Sequence, residues 1–192
     1  MVGIYQNAAL KEEKGGSNFS DPMRTFVAAL MLLSGPALSF AEKPPIDGWR
    51  YPAESDYIGD WEDSRKQLRV PFHVQADFNG DGLVDDAWIL IRTKGKGWGL
   101  FVFMGQPNNS KKIIQLDDNP NNDYPQRMGI ALASPVKHKT ACGKGYFECE
   151  KGEPAVLDLK QPGIDYFVYE SANSFFYWDQ KSKTFKRIWM SD

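Results

Sequence analysis

Two histidines and two cysteines are all that 192 residues hold, so a zinc or thiol centre has few ligands to draw on. No G-x-S-x-G elbow, H-E-x-x-H helix or phosphate loop occurs, and "GKGWG" (95–99) lacks both the phosphate-loop spacing and a Ser or Thr after its lysine. The acidic residues are scattered, and nothing selects a pair of them for glycosidase work. A surplus of charge is also missing: the formal net charge is −2, which argues against a nucleic-acid or anionic-membrane partner. Of the histidines, His73 lies one residue from a strand's apolar face and reads as a sheet-surface residue rather than a base. His138, among lysines in "PVKHKT", reads as solvent-exposed.

Long apolar runs are missing as well. "FVAALMLL" (26–33) falls short of the roughly 20 residues that span a bilayer. It sits instead in the pattern of an export signal. Met23-Arg24-Thr25 is a short basic start, Gly35-Pro36 breaks the apolar run, and "LSFA" ends at Ala41 with small Ser39 two residues before it. Cleavage after Ala41 is therefore expected, leaving a mature chain from Glu42. Residues 1–22 are polar and have no place before such a signal, so a start codon assigned too far upstream explains them. No cysteine lies at the cleavage point, which argues against a lipidated form. Removing residues 1–41 takes away Lys11, Lys14 and Arg24 against Glu12, Glu13 and Asp21, so the net charge stays at −2.

Both cysteines lie in the mature part, in "CGKGYFEC". An even count in an exported chain reads as one disulfide, Cys142 to Cys149, closing a small glycine-containing loop. The rival reading, half a zinc site, fits the usual knuckle spacing poorly and would have only His73 and His138 to complete it.

One stretch has helical periodicity. In "ESDYIGDWEDSRKQL" (54–68), Tyr57, Ile58, Trp61 and Leu68 recur at helical spacing, Ser55 is placed to cap the start, and Pro71 forbids continuation. Gly59 weakens its middle. The remainder reads as strands. "PFHVQADF" sets Phe72, Val74 and Ala76 against His73 and Gln75; "AWILI" (87–91) is apolar on both faces, as a central strand would be. "WGLFVFM" (98–104), "IIQL" (113–116) and "GIALA" (129–133) follow, with "DDNPNNDYP" as a loop. "IDYFVYESA", "NSFFYWD" and "TFKRIWM" form three aromatic strands, the last two joined across "QKSK". Within "NSFFYWD", alternation puts Phe175 and Tyr177 on one face and Phe176 and Trp178 on the other, so either one pair lies outside or both faces are covered. For Trp98, Phe101, Phe103, Trp189 and these four, core packing is the commoner fate, with an exposed binding face the alternative. The expected fold is mainly β (α+β), an antiparallel sheet or small sandwich with one N-terminal helix, in a single domain over 42–192.

"DFNGDGLVDD" (77–86) packs four aspartates and an asparagine between two apolar runs. With Asp77 as first position, Asn79 is third, Asp81 fifth, Gly82 sixth, Leu83 seventh and Asp85 ninth, the D-x-[DN]-x-D-G pattern of calcium loops. Side-chain oxygens at alternate positions of a tight turn can converge on one point. A glycine at the sixth permits the reversal that aims the seventh carbonyl inward. The expected ligands are Asp77, Asn79, Asp81, the Leu83 carbonyl and Asp85, a hard oxygen set suited to Ca2+ better than to magnesium. Asp86 is either a sixth ligand or a solvated charge. Asp, Asn and Gly also favour plain turns, but so many carboxylates in one unliganded turn would repel one another. The twelfth position, a bidentate glutamate in an EF-hand, is Trp88 within a strand, which excludes that motif. The loop with its flanking strands resembles the calcium loop of FG-GAP and VCBS repeats, where this pattern ends one strand and begins the next. Those repeats come in multiples that build a propeller, whereas one copy is present here, so the resemblance implies a calcium-clamped hairpin inside another domain. The wider layout, to "SFFYWD" and "FKRIWMSD", resembles small exported bacterial proteins that carry one such loop.

These features lead to an exported, non-enzymatic, monomeric domain with a structural calcium ion, bound to an envelope protein or glycan and periplasmic or secreted. A second expectation is an inhibitor or immunity protein against an envelope-acting enzyme. A third, a metal-dependent hydrolase, is the weakest, because so many protein ligands leave little open coordination for substrate.

Overall fold

Stretches of β-branched and aromatic residues pair as antiparallel strands throughout the part of the chain that the structure, a computed structural model, describes: residues 43–67 and 69–191. The upstream extension, the signal sequence, the cleavage point after Ala41 and Leu68 lie outside the described residues. The strands are β1 (Trp49–Arg50), β2 (His73–Ala76), β3 (Asp85–Arg92), β4 (Trp98–Gly105), β5 (Lys111–Asn119), β6 (Met128–Ala133), β7 (Lys137–Lys139), β8 (Val156–Asp158), β9 (Gly163–Val168), β10 (Asn173–Asp179) and β11 (Thr184–Trp189). A mainly β fold with one α-helix is what results.

In the first sheet β3 is central, with β4 and then β5 on one side and both β1 and β2 on the other. The run "AWILI" is apolar on both faces for that reason: Ala87, Ile89 and Leu90 are fully buried, and every residue of β4 is buried too. Phe72, Val74 and Ala76 of the β2 segment turn to the core as their alternation requires, while His73 lies on the other face, stacked 3.7 Å from the Trp88 ring.

The second sheet runs β11-β10-β9-β6. Its two faces settle the alternation in "NSFFYWD". Phe176 and Trp178, with Ile164 and Tyr166 of β9, pack with the first sheet in the main core. Phe175 and Tyr177 meet Leu157, Leu159, Ile188 and Met190 in a second cluster, under the small β7–β8 ribbon. Both faces are covered, although Tyr177 and Trp178, at the strand's end, stay half-buried. Of the aromatics weighed above, Trp189 stands apart at 43% exposed.

The helix is shorter than its periodicity predicts. The Glu54–Asp56 segment is a single 3-10 turn, and α1 spans only Asp60–Lys66. Gly59 separates them with φ +55° and ψ −133°, a conformation that a helix interior cannot contain. Ser55 caps nothing there. Instead the Asp56 carboxylate accepts the Ala53 amide at 2.7 Å and pairs with Arg50. Ile58 is left 52% exposed, whereas Trp61 is fully buried and donates its indole N–H to the Met128 carbonyl at 2.7 Å. His138 also differs from expectation: it is half-buried, with its ring edge-on to Phe175 and Nε2 2.8 Å from the Ser134 carbonyl.

Cys142 and Cys149 form a disulfide, as the cysteine count predicts. Among the described residues, no helix is long and apolar enough to cross a membrane.

Candidate functional site

The acidic stretch is the connection of the β2–β3 hairpin, whose last register pair is Ala76 with Asp85. Its first half folds back on itself. Asp77 Oδ1 accepts the Gly80 amide at 2.7 Å and the Asp81 amide at 3.1 Å, and Oδ2 accepts the Gly82 amide at 2.8 Å. Asn79 Oδ1 accepts the Asp81 amide at 2.9 Å, Asp81 Oδ1 accepts the Leu83 amide at 2.8 Å, and Asn79 Nδ2 donates to Asp81 Oδ2 at 2.8 Å. Asp77, Asn79 and Asp81 thus all bond the loop's own backbone; Asp77 and Asn79 are half-buried, while Asp81 is exposed. Gly82, at φ +84°, supplies the left-handed residue that the reversal needs.

Asp85 lies at the base of the loop and is fully buried. Oδ2 accepts the Phe78 amide at 3.0 Å and Oδ1 the Gly105 amide at 2.8 Å, so one carboxylate ties the loop's entry to the end of β4. Burial raises its pKa above the ordinary carboxylate value; the two amides oppose that, and the charges of Asp81 and Asp77 add to it. Asp86, one residue on in a strand, faces the other way. It accepts from Gln75 Nε2 at 2.5 Å and from Lys111 Nζ at 3.2 Å and lies 3.2 Å from His73 Nε2. Burial works against its ionisation, but these partners outweigh burial and hold it down at about 2. Of the two roles left open for Asp86 in the sequence, neither describes it: it is a partnered charge on the opposite face of β3.

The structure therefore brings Asp77, Asn79, Asp81 and Asp85 to one loop, with Leu83 between them. Among the described residues, no three His, Cys, Asp or Glu side chains meet as a ready metal-binding group. What the loop offers is a set of hard oxygens with capacity left over. A carboxylate has about four acceptor sites, and Asp77 spends three of them. The Leu83 carbonyl accepts no hydrogen bond from the described residues. The donor set fits a calcium ion by its chemistry.

Two residues that no local pattern singles out also bear on the loop. Gln180 Nε2 donates to the Asn79 carbonyl at 2.6 Å, and the Gln161 side chain lies against Gly80. Each is far from the loop in sequence, so only the tertiary fold reveals them. No protein-family model, curated protein or solved structure matches the chain.

Proposed function

We propose that residues 42–192 form an exported, monomeric, non-enzymatic binding domain that holds one structural calcium ion in the loop and engages an envelope or extracellular partner. Charge balance carries the calcium reading. Asp77, Asp81 and Asp85 form no ion pair among the described residues, and one of them is fully buried, whereas Asp86 beside them faces Lys111 and His73. Clustered, unpaired carboxylates around a buried one are costly, and a divalent cation would offset that cost. Asp77, Asn79, Asp81, Asp85 and the Leu83 carbonyl would hold it, and its chemistry would be charge neutralisation rather than catalysis. The likeness to FG-GAP and VCBS loops supports the same reading.

Export is supported by the signal pattern at 23–41 and by the Cys142–Cys149 bond, since such bonds persist in oxidising compartments.

The test is thermal melting with calcium and with a chelator, in the intact protein and in Asp81→Ala. A ligand of the folded state alone, at a hundred times its Kd, stabilises by about 2.7 kcal/mol, on the order of 5–10 °C for a chain of this size. Asp81→Ala should lose that increment. Identical melting of the intact protein in calcium and in chelator would overturn the reading.

A further inference from the structure

A cleft of about 210 Å³ opens beside the acidic loop. Its floor and sides come from the end of β10 (Tyr177, Trp178 and Asp179), from the following turn at Gln180, and from residues 158–161, the end of β8 and the segment after it. From the loop Phe78 completes the lining, and the loop is held there by the Gln180 contact to Asn79 and the Gln161 contact to Gly80; a side chain at position 80 would meet Gln161 Nε2 at 2.9 Å.

Two properties of the lining define what would fit. First, its charges are already matched: Lys160 pairs with Asp158 at 2.7 Å and Lys186 with Asp179 at 2.8 Å, so the cleft presents no unpaired ion. A charged ligand would have to break one of these pairs. Second, it keeps unspent hydrogen-bonding groups next to aromatic rings. Among the described residues, neither the Tyr177 hydroxyl, the Trp178 indole N–H nor the Gln161 amide has a hydrogen-bond partner, although all three residues are half-buried. Half-buried aromatic residues that keep a polar handle suit a ligand with one apolar and one polar aspect.

A pyranose has that build. Its axial C–H groups form an apolar face for a ring to lie against, its rim of hydroxyls both donates and accepts, and it carries no charge. A cleft of this size takes one such unit. We propose that this cleft, at the end of β10 where residues from both faces reach it, binds a single neutral pyranose unit of an envelope glycan, with the sugar's apolar face against Trp178 and its hydroxyls bonded by Tyr177 and Gln161. The inference rests on the reading of the chain as a binding domain and names its ligand.

The experiment is titration of the full chain, in calcium buffer, with the methyl glycosides of glucose, galactose and N-acetylglucosamine, followed by the NMR resonance of the Trp178 indole N–H, assigned with Trp178→Phe. Trp178→Phe keeps a ring against Phe185, 5.3 Å away, and so preserves the packing. At least one glycoside should shift the resonance saturably. Tyr177→Phe and Gln161→Ala, each with an unchanged melting temperature, should weaken that binding about tenfold, the effect of one lost hydrogen bond. The proposal is overturned if no glycoside shifts the resonance, if the two variants bind as the parent does, or if N-acetylglycine N-methylamide, a peptide mimic, shifts it where the sugars do not. The calcium reading is judged by melting temperature and the cleft by Trp178, so either can fail without the other.

Discussion

Asp85 reaches across from β3 to the end of β4, where its Oδ1 accepts the Gly105 amide at 2.8 Å while Oδ2 accepts that of Phe78 at 3.0 Å. Two backbone donors from separate segments are satisfied by one buried carboxylate. Asparagine has the same shape but replaces one acceptor by an NH2 donor, which would face an N–H. Asp85→Asn should therefore destabilise the protein by about 1–3 kcal/mol, the cost of an unsatisfied buried donor, measured by urea unfolding in chelator so that metal plays no part. An unchanged midpoint would mean that relief of the repulsion from Asp77 and Asp81 offsets the lost acceptor.

Arg50 and Asp56 make a two-pronged pair, Nη1 to Oδ2 at 2.6 Å and Nη2 to Oδ1 at 2.9 Å. Burial raises the Asp56 pKa, but Arg50 and the Ala53 amide outweigh it, and the net shift is downward. A carboxyl that ionises more easily folded than unfolded stabilises the fold above its unfolded pKa, near 3.9. That contribution disappears as pH falls through the lower folded value. Asp56→Asn should thus cost about 1.5–3 kcal/mol at neutral pH. The gap between parent and variant should close only below about pH 4 in acid unfolding curves.

How much of this was legible in sequence depends on the range of the interaction. The hairpins, the central position of "AWILI" and the disulfide follow from period-two patterning, turn residues and cysteine count, all local signals. The helix is shorter than the spacing of Tyr57 and Ile58 predicts because Gly59 takes a conformation that a helix interior cannot contain. Strands β1 and β7–β8 are short and carry little periodicity, so pairing with distant partners decides them. In the acidic loop, Asp77 and Asp85 stand out by spacing, but the opposite roles of Asp85 and Asp86 depend on strand orientation. The contacts of Gln161 and Gln180 depend on the whole fold.

Cys142 and Cys149 close a seven-residue separation at the edge of the second cluster. The segment is held independently by Ala141, whose amide donates to the Trp189 carbonyl at 2.8 Å, and by Lys144 Nζ on the Met190 carbonyl at 2.7 Å. Chain entropy assigns so short a loop about 2–3 kcal/mol. Replacing both cysteines by serine should lower the melting temperature by roughly 4–12 °C and leave a folded protein with the β-sheet signature in circular dichroism. Loss of folding altogether would show that the bond does more than restrict the unfolded chain.

Tyr166 joins the two sheets. Its hydroxyl, on β9, donates to Asp117 Oδ2 on β5 at 2.8 Å, and Arg187 of β11 lies over its ring at 5.4 Å. Burial first, then the Asp117 charge, pushes the phenol pKa well above its ordinary value. The folded protein keeps this proton at a pH where the unfolded chain releases it, so the stabilisation is complete below the unfolded value of about 10 and declines as pH rises above it. Tyr166→Phe should remove that alkaline decline, and comparing parent with variant isolates it from the other tyrosines. At neutral pH, a double-mutant cycle with Asp117→Asn should give a coupling energy of about 1–2 kcal/mol, the range for a hydrogen bond to a charged group with part of its carboxylate still wet. Zero coupling would mean that water replaces the contact at no cost, so that it plays no part in holding the sheets together.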